Sequence, residues 1–284
     1  MQQRRIGERS VSAIGLGGMP MSIEGRPDEA RSIRTIHAAL DAGVTLIDTA
    51  DAYHLDPTDV GHNELLIAKA LRLAGTSPDD VLVATKGGHR RPGDGSWYTQ
   101  GGAAYLKKAC EASLQRLDVE AIGLYQFHRP DPATPYEESV GAIRDLLDEG
   151  KILMAGISNA NPDQIRLAQG ILGGRMVSVQ NQFSPAFRSS GPELELCDEL
   201  GLAFLPWSPL GGIGRAERLT GASAFAEVAA ARGVSPQQVA LAWELAKSPV
   251  VIPIPGASRP ESIVDSVQAA ELELSPEELA RLDG

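Results

Sequence analysis

Short apolar runs alternate with amphipathic stretches along the whole chain. Residues 44–47 lie between Gly43 and Asp48 and read as a strand buried on both faces. Residues 13–17, 81–85, 122–127, 152–157, 177–180, 202–206 and 250–254 repeat that design. Between them, positions with a period near 3.6 predict helices over 27–42, 63–74, 103–117, 136–149, 162–172, 191–200, 236–247 and 260–270, with a short terminal helix from Ser275. Pro27 in a first turn and Gly43 as a stop mark the first helix. Residues 4–12, with Gly7, Glu8 and Arg9 between two alternating segments, predict a hairpin ahead of the repeat that plugs one end of the fold. Eight strands, each followed by a helix, imply parallel βαβ units. Over 284 residues the expectation is an α/β fold, a (β/α)8 TIM barrel forming one domain across residues 1–284. Two connections, 87–102 and 208–233, exceed the usual loop length and predict lids or binding loops, the first mobile because of its glycines.

The net charge of −11 argues against a nucleic-acid partner, without forbidding a local basic pocket for an anionic cofactor. The start of the chain leads into no apolar signal core and no run reaches membrane-spanning length, so a cytoplasmic protein without a membrane partner is expected. Cys110 and Cys197 fall in separate helices and read as reduced, buried thiols. No cluster has zinc-like spacing, and His54 and His62 read as loop residues. Gly15, Gly17 and Gly18 lack the spacing of a dinucleotide fingerprint and read as close backbone packing.

Candidate chemistry collects at strand ends. Asp48 and Tyr53 follow one strand, Lys86 ends the next, and His128 ends a third. A free phenol, with a pKa of about 10, is a poor donor to a carbonyl oxygen at neutral pH. A nearby ammonium would lower that value and a carboxylate would hold the ammonium charged. An imidazole could orient the carbonyl. Singly, Asp48 reads as a turn residue, Lys86 as a solvated strand end, His128 as a loop histidine and Tyr53 as packing; together they point to one site.

Ordered motifs extend the pattern: Asp48-Thr49-Ala50-Asp51-Ala52-Tyr53, Gly61-His62-Asn63-Glu64, Ala84-Thr85-Lys86, Gln126-Phe127-His128, Gly156-Ile157-Ser158-Asn159, Gln180-Asn181, Trp207-Ser208-Pro209-Leu210-Gly211 and Ile254-Pro255-Gly256-Ala257-Ser258. On these residues the chain resembles the aldo-keto reductases over essentially its whole length. The resemblance implies a barrel that binds an extended nicotinamide cofactor without a Rossmann domain and reduces aldehydes or ketones. Carried over position by position, it implies Tyr53 as proton donor, Lys86 and Asp48 as its tuning pair, and His128 as the carbonyl-orienting group. Ser158, Asn159 and Gln180 would meet the nicotinamide carboxamide, and Trp207 would stack on its ring. Ser208, Leu210 and Gly211 would wrap the pyrophosphate, and Gly256 and Ser258 would face the adenosine end.

The chain departs from many relatives where a basic residue and an asparagine are expected, since Ser262 and Ser266 stand there. Arg259 is then the obvious cation for a 2′-phosphate, which favours NADPH (NADP+) over NADH, and Asp265 would contact adenine or ribose. The expected activity is NADPH-dependent reduction of a small-molecule carbonyl, cofactor first. Two alternatives remain open: an NADPH-binding regulatory subunit resembling potassium-channel β subunits, and a hydrolase using Asp48 and Asp51 as paired carboxylates. Substrate choice is expected from residues 54–60, 87–102 and 213–220, with Trp97 and Tyr98 available to stack on a flat substrate; a short tail predicts an open pocket.

Overall fold

The computed structural model describes every residue except Pro78, Ile213, residues 215–220 and Ala222. The chain opens with the antiparallel hairpin β1 (Gln3–Ile6) and β2 (Arg9–Ser12), turned at Gly7, whose φ of 56° favours glycine. Ile6 and Val11 on its inner face are buried against Leu46, Leu82, Leu124, Ala203 and Ile252, the apolar filling of the barrel. The hairpin therefore caps the amino end of the strands, as expected.

The barrel staves are β3 (Leu16–Gly17), β4 (Leu46–Asp48) and β5 (Leu82–Gly87). A small ribbon, β6 (His89–Arg90) with β7 (Tyr98–Thr99), interrupts the sequence before β8 (Ile122–Phe127), β9 (Ile152–Ser158), β10 (Met176–Gln180) and β11 (Ala203–Phe204). The staves are parallel and run β3, β4, β5, β8, β9, β10, β11 across the sheet. The eighth predicted strand closes the circle with few ladder bonds. Phe204 N donates to Val250 O (2.9 Å) and Ile252 N to Phe204 O (2.9 Å) on one side, while Gly15 N and Gly17 N donate to Pro253 O and Pro255 O (both 2.9 Å) on the other. Pro253 and Pro255 have no N–H to return, which is why this stave carries isolated bridges only.

The surrounding helices are α1 (Glu29–Asp41), α2 (His62–Ala74), α3 (Ala103–Leu117), α4 (Tyr136–Asp148), α5 (Pro162–Leu172), α6 (Gly191–Leu200), α7 (Ala224–Arg232), α8 (Pro236–Leu245), α9 (Pro260–Val267) and α10 (Pro276–Asp283). Their ends follow local chemistry. Asn161 and Gln164 form a reciprocal capping box at α5, Ser235 caps α8, and Ser275 with Glu278 caps α10. Two layers of apolar contact lie between helices and sheet, one around Tyr125, Phe127, Ile157 and Trp243, the other around Ile36, Ile47, Ile67 and Leu241. Helix α7 was not expected: its run of alanines carries no clear apolar stripe, and Phe225 and Val228 do the packing. The connection 87–102 is also more ordered than its glycines imply, because β6 and β7 pair within it. Among the described residues no helix is long and apolar enough to cross a membrane.

Candidate active site

Register brings the polar strand ends to one level. Asp48 pairs with Ala84, Lys86 with Gln126, Phe127 with Ile157 and Gln180 with Ser158, so the residues beyond these positions meet at the carboxyl mouth. Lys86 is completely enclosed. Its Nζ donates to Asp48 Oδ1 (2.6 Å), to Thr49 O (2.8 Å) and to Tyr53 Oη (3.2 Å). Asp48 accepts a further bond on Oδ2 from Gln180 Nε2 (2.8 Å). The rings of Tyr53 and His128 meet edge-on with centroids 6.0 Å apart. The four predicted residues therefore converge. Asp51 faces Tyr105, whose hydroxyl donates to it (3.2 Å), while Asp48 is engaged by Lys86 and Gln180, so the two carboxylates have separate partners.

Electrostatics follow from enclosure. Burial pushes the Tyr53 hydroxyl above the ordinary phenol range, and the Lys86 ammonium offsets this only in part. The expected net lowering is thus reversed, because desolvation outweighs the neighbouring cation. Burial also disfavours the Lys86 ammonium, yet Asp48 and Tyr53 outweigh it and hold the lysine above its usual value. Burial and the cations Lys86 and Arg129, with His89 beside them, hold His128 well below the normal imidazole range, so it is neutral. Its Nδ1 is buried without a partner.

A cavity of about 1440 Å³ opens over these groups. Its wall passes from Tyr53 and His128 to Ser158, Asn159, Gln180 and Trp207, then past Ser208, Leu210 and Gly212 to Gly256, Ser258, Arg259 and Ser262. Trp207 Nε1 is buried there without an acceptor, and left-handed backbone at Ser208 (φ 52°), Gly211 (φ 89°) and Gly212 (φ 107°) bends the chain around one side. Such a space, with uncommitted donors and an aromatic wall, fits an elongated nucleotide cofactor.

Besides the enclosed Lys86, two predicted residues stand off the wall. Gly211 is adjacent to it, in the turn closed by its own N–H to Ser208 O (2.9 Å). Asp265 is turned away: its carboxylate accepts from Ser235 Oγ and Gln238 Nε2 (both 2.6 Å) at the start of α8, where it supports that helix. Asn159 has spent both amide hydrogens, on His128 O (3.0 Å) and Ser158 Oγ (2.9 Å). Most of the 213–220 loop lies outside the described residues.

The sequence reading missed the grip of Gln180 on Asp48, and a clamp formed by His89, Arg91 and Trp97. Arg91 donates to His54 O and pairs with Glu24, and its guanidinium lies 4.7 Å from the Trp97 ring centre. His89 stacks on Trp97 with centroids 4.8 Å apart. Residues 87–97 carry no periodic pattern that would have pointed to the clamp.

The sequence profile of the aldo/keto reductase family matches residues 13–284. The chain belongs to the aldo/keto reductase family. This aldo/keto reductase is 34% identical to an uncharacterised oxidoreductase of Schizosaccharomyces pombe, over 98% of its own length and 88% of that protein's. It is 33% identical to a probable aldo-keto reductase of Glycine max, over 96% and 84%. Among solved structures, an aldo/keto reductase from Klebsiella pneumoniae in complex with NADP and acetate superposes with a TM-score of 0.84 at 31% identity, covering 99% of this chain and 94% of that one. A structure of the Klebsiella reductase with NADPH gives the same TM-score and identity, over 100% and 95%. The family and these relatives make the protein an NAD(P)H-dependent oxidoreductase with a (β/α)8 barrel.

Proposed function

We propose that residues 1–284 act as one catalytic domain that reduces an aldehyde or ketone to an alcohol with NADPH, Tyr53 donating the proton. The observation that carries this reading is the buried chain Asp48–Lys86–Tyr53, with Nζ 2.6 Å from the carboxylate and 3.2 Å from the phenol at the cavity floor. When bound, the cofactor supplies a hydride, two electrons with one hydrogen, to the carbonyl carbon. Tyr53 Oη gives its proton to the carbonyl oxygen as the C=O π bond breaks. A phenol whose pKa is raised by burial holds that proton until a reacting oxygen takes it. Lys86 then stabilises the phenolate, with Asp48 and Thr49 O keeping the ammonium charged and in place. Gln180 keeps Asp48 aimed at the lysine. Neutral His128 can donate a hydrogen bond to the carbonyl oxygen and fix its angle without adding charge.

For the cofactor, Trp207 offers a stacking face, Ser158 and Gln180, braced by Asn159, offer the polar edge for a carboxamide, and the backbone of Ser208 and Leu210, bent by the turn at Gly211, offers donors to a pyrophosphate. Arg259, exposed at the start of α9 beside Ser258 and Ser262, is the cation for a 2′-phosphate, and the NADP and NADPH bound by the similar Klebsiella reductases support that choice. Tyr53→Phe should bind NADPH with unchanged affinity and lose turnover by about a hundredfold or more, the usual scale of a positioned proton donor. Undiminished aldehyde reduction by that variant would remove Tyr53 from the chemistry.

A further inference from the structure

Arg129 follows His128 on the loop leaving β8 and lines the same stretch of cavity wall. Its guanidinium is half-buried. One Nη–H donates to Asn159 Oδ1 (3.1 Å), Nε is enclosed without an acceptor, and among the described residues no carboxylate lies within ion-pair reach. Other cations near the mouth have partners: Lys86 pairs with Asp48 and Arg91 with Glu24, while Arg90 lies over the rings of Tyr98 and Tyr105 and donates to Gln100 Oε1 (2.9 Å). Asp131, two residues beyond, is not a counter-ion. Its oxygens already accept from Gly101 N (2.7 Å), Ala133 N (3.0 Å), Thr99 Oγ1 (3.1 Å) and Thr134 Oγ1 (3.1 Å).

Among the described residues lining the wall beside Arg129, Asp131 is the carboxylate already spent and the others are uncharged. His128 is neutral, and burial with the nearby Arg129 holds His89 at a pKa of about 4. His89, 4.8 Å from the Trp97 ring centre, and the Arg91 guanidinium, 4.7 Å from it, already pack on that ring. Among the described residues, the wall beside Tyr53 and His128 therefore offers an unspent positive charge with free donors at Arg129, in a chain whose net charge is −11.

We propose that the carbonyl compound reduced here carries an anionic group, a carboxylate or a phosphate, which Arg129 holds while the C=O end lies against Tyr53 and His128. This rests on the reductase reading above. A half-buried guanidinium without a counter-ion gains a charge-assisted bond when the anion arrives, and its planar fork matches carboxylate and phosphate oxygens. A neutral carbonyl compound would leave the charge uncompensated, so selection follows from the partner the site lacks.

The test compares matched pairs in NADPH oxidation: 4-oxobutanoate with butanal, 4-carboxybenzaldehyde with 4-methylbenzaldehyde, and glyceraldehyde 3-phosphate with glyceraldehyde. The wild-type protein should favour the charged member of at least one pair by about tenfold or more in kcat/KM. Which pair responds separates carboxylate from phosphate. In Arg129→Leu that ratio should collapse, chiefly through KM, and Arg129→Lys should restore part of it. Equal losses for both members of every pair would make Arg129 a support for Asn159 only, and wild-type ratios near one would overturn the proposal. If no carbonyl compound is reduced, the reductase reading fails first. Calorimetric titration of 4-carboxybenzyl alcohol and of inorganic phosphate into the NADP+-loaded protein then decides the anion site: heat seen with wild type and lost in Arg129→Leu sustains it, and no heat with wild type ends it.

Discussion

Asp51 lies two residues from Tyr53, fully buried, with Oδ1 unpartnered and Oδ2 held by the Tyr105 hydroxyl. Burial, followed by repulsion from Glu64, raises its carboxyl from 3.8 to about 7. The folded protein therefore keeps this proton up to near neutrality, whereas the unfolded chain releases it near the ordinary value. Stability from this group is complete below about pH 4 and is lost as the pH rises to about 7, by up to about 4 kcal/mol. Asp51→Asn cannot ionise, so its unfolding free energy relative to wild type should climb across that interval; parallel pH profiles for the two proteins would contradict the assignment. At this scale the sequence was informative about identity and silent about environment. The spacing of Asp48, Tyr53, Lys86 and His128 at successive strand ends was legible, because a barrel must aim such ends at one mouth. That burial beats Lys86 at the Tyr53 hydroxyl was not, since enclosure depends on residues distant in the chain such as His89 and Trp97.

Helix α2 begins at Gly61, whose φ of 79° is left-handed and whose added Cβ would sit 2.1 Å from Arg116 Cδ. Arg116 Nε in turn holds Glu64 Oε2 (2.6 Å), and Thr85 Oγ1 holds Glu64 Oε1 (2.6 Å). Gly61→Ala should thus add a backbone cost of about 1 kcal/mol and displace the partner of a fully buried carboxylate, for about 3–5 kcal/mol more. Gly75, at the other end of α2 with a φ of 67°, has nothing within 4 Å of the same position. Gly75→Ala should cost the backbone contribution alone, and urea unfolding of the two variants separates the steric from the conformational effect. Some bounds were readable in advance: the helices expected over 162–172 and 191–200 are α5 and α6 as observed, bracketed by Asn161 and Gly173 in the one case and stopped by Gly201 in the other. Helix α7 and the β6–β7 ribbon were not, because alanine runs lack a polar face and glycine-rich loops hide short pairing segments. The closing stave was recognised by its apolar run despite the two prolines that thin its ladder.

Across the molecule, the cavity and the fold are coupled through the staves that supply its floor. A cofactor that binds only the closed barrel stabilises it by about 2.7 kcal/mol at a hundred times its Kd. For a chain of this size that raises the melting temperature by about 5–10 °C. NADPH should give a larger rise than NADH at equal concentration, and Arg259→Ala should abolish the difference while leaving the NADH response. Identical shifts for the two nucleotides with wild type would remove Arg259 from 2′-phosphate binding. The architecture at this scale was the most legible part of the chain, since eight apolar runs alternating with helices admit few other closures.

The hairpin, finally, stoppers the barrel from below with Ile6 and Val11. With that end filled, the described residues leave the cavity over Tyr53 and His128 open at the carboxyl mouth, and for two molecules that enter there, whatever lodges deeper must come in first and go out last. Nucleotide and carbonyl compound would queue rather than compete for entry, and product-inhibition kinetics would record that queue as a compulsory order of arrival and departure.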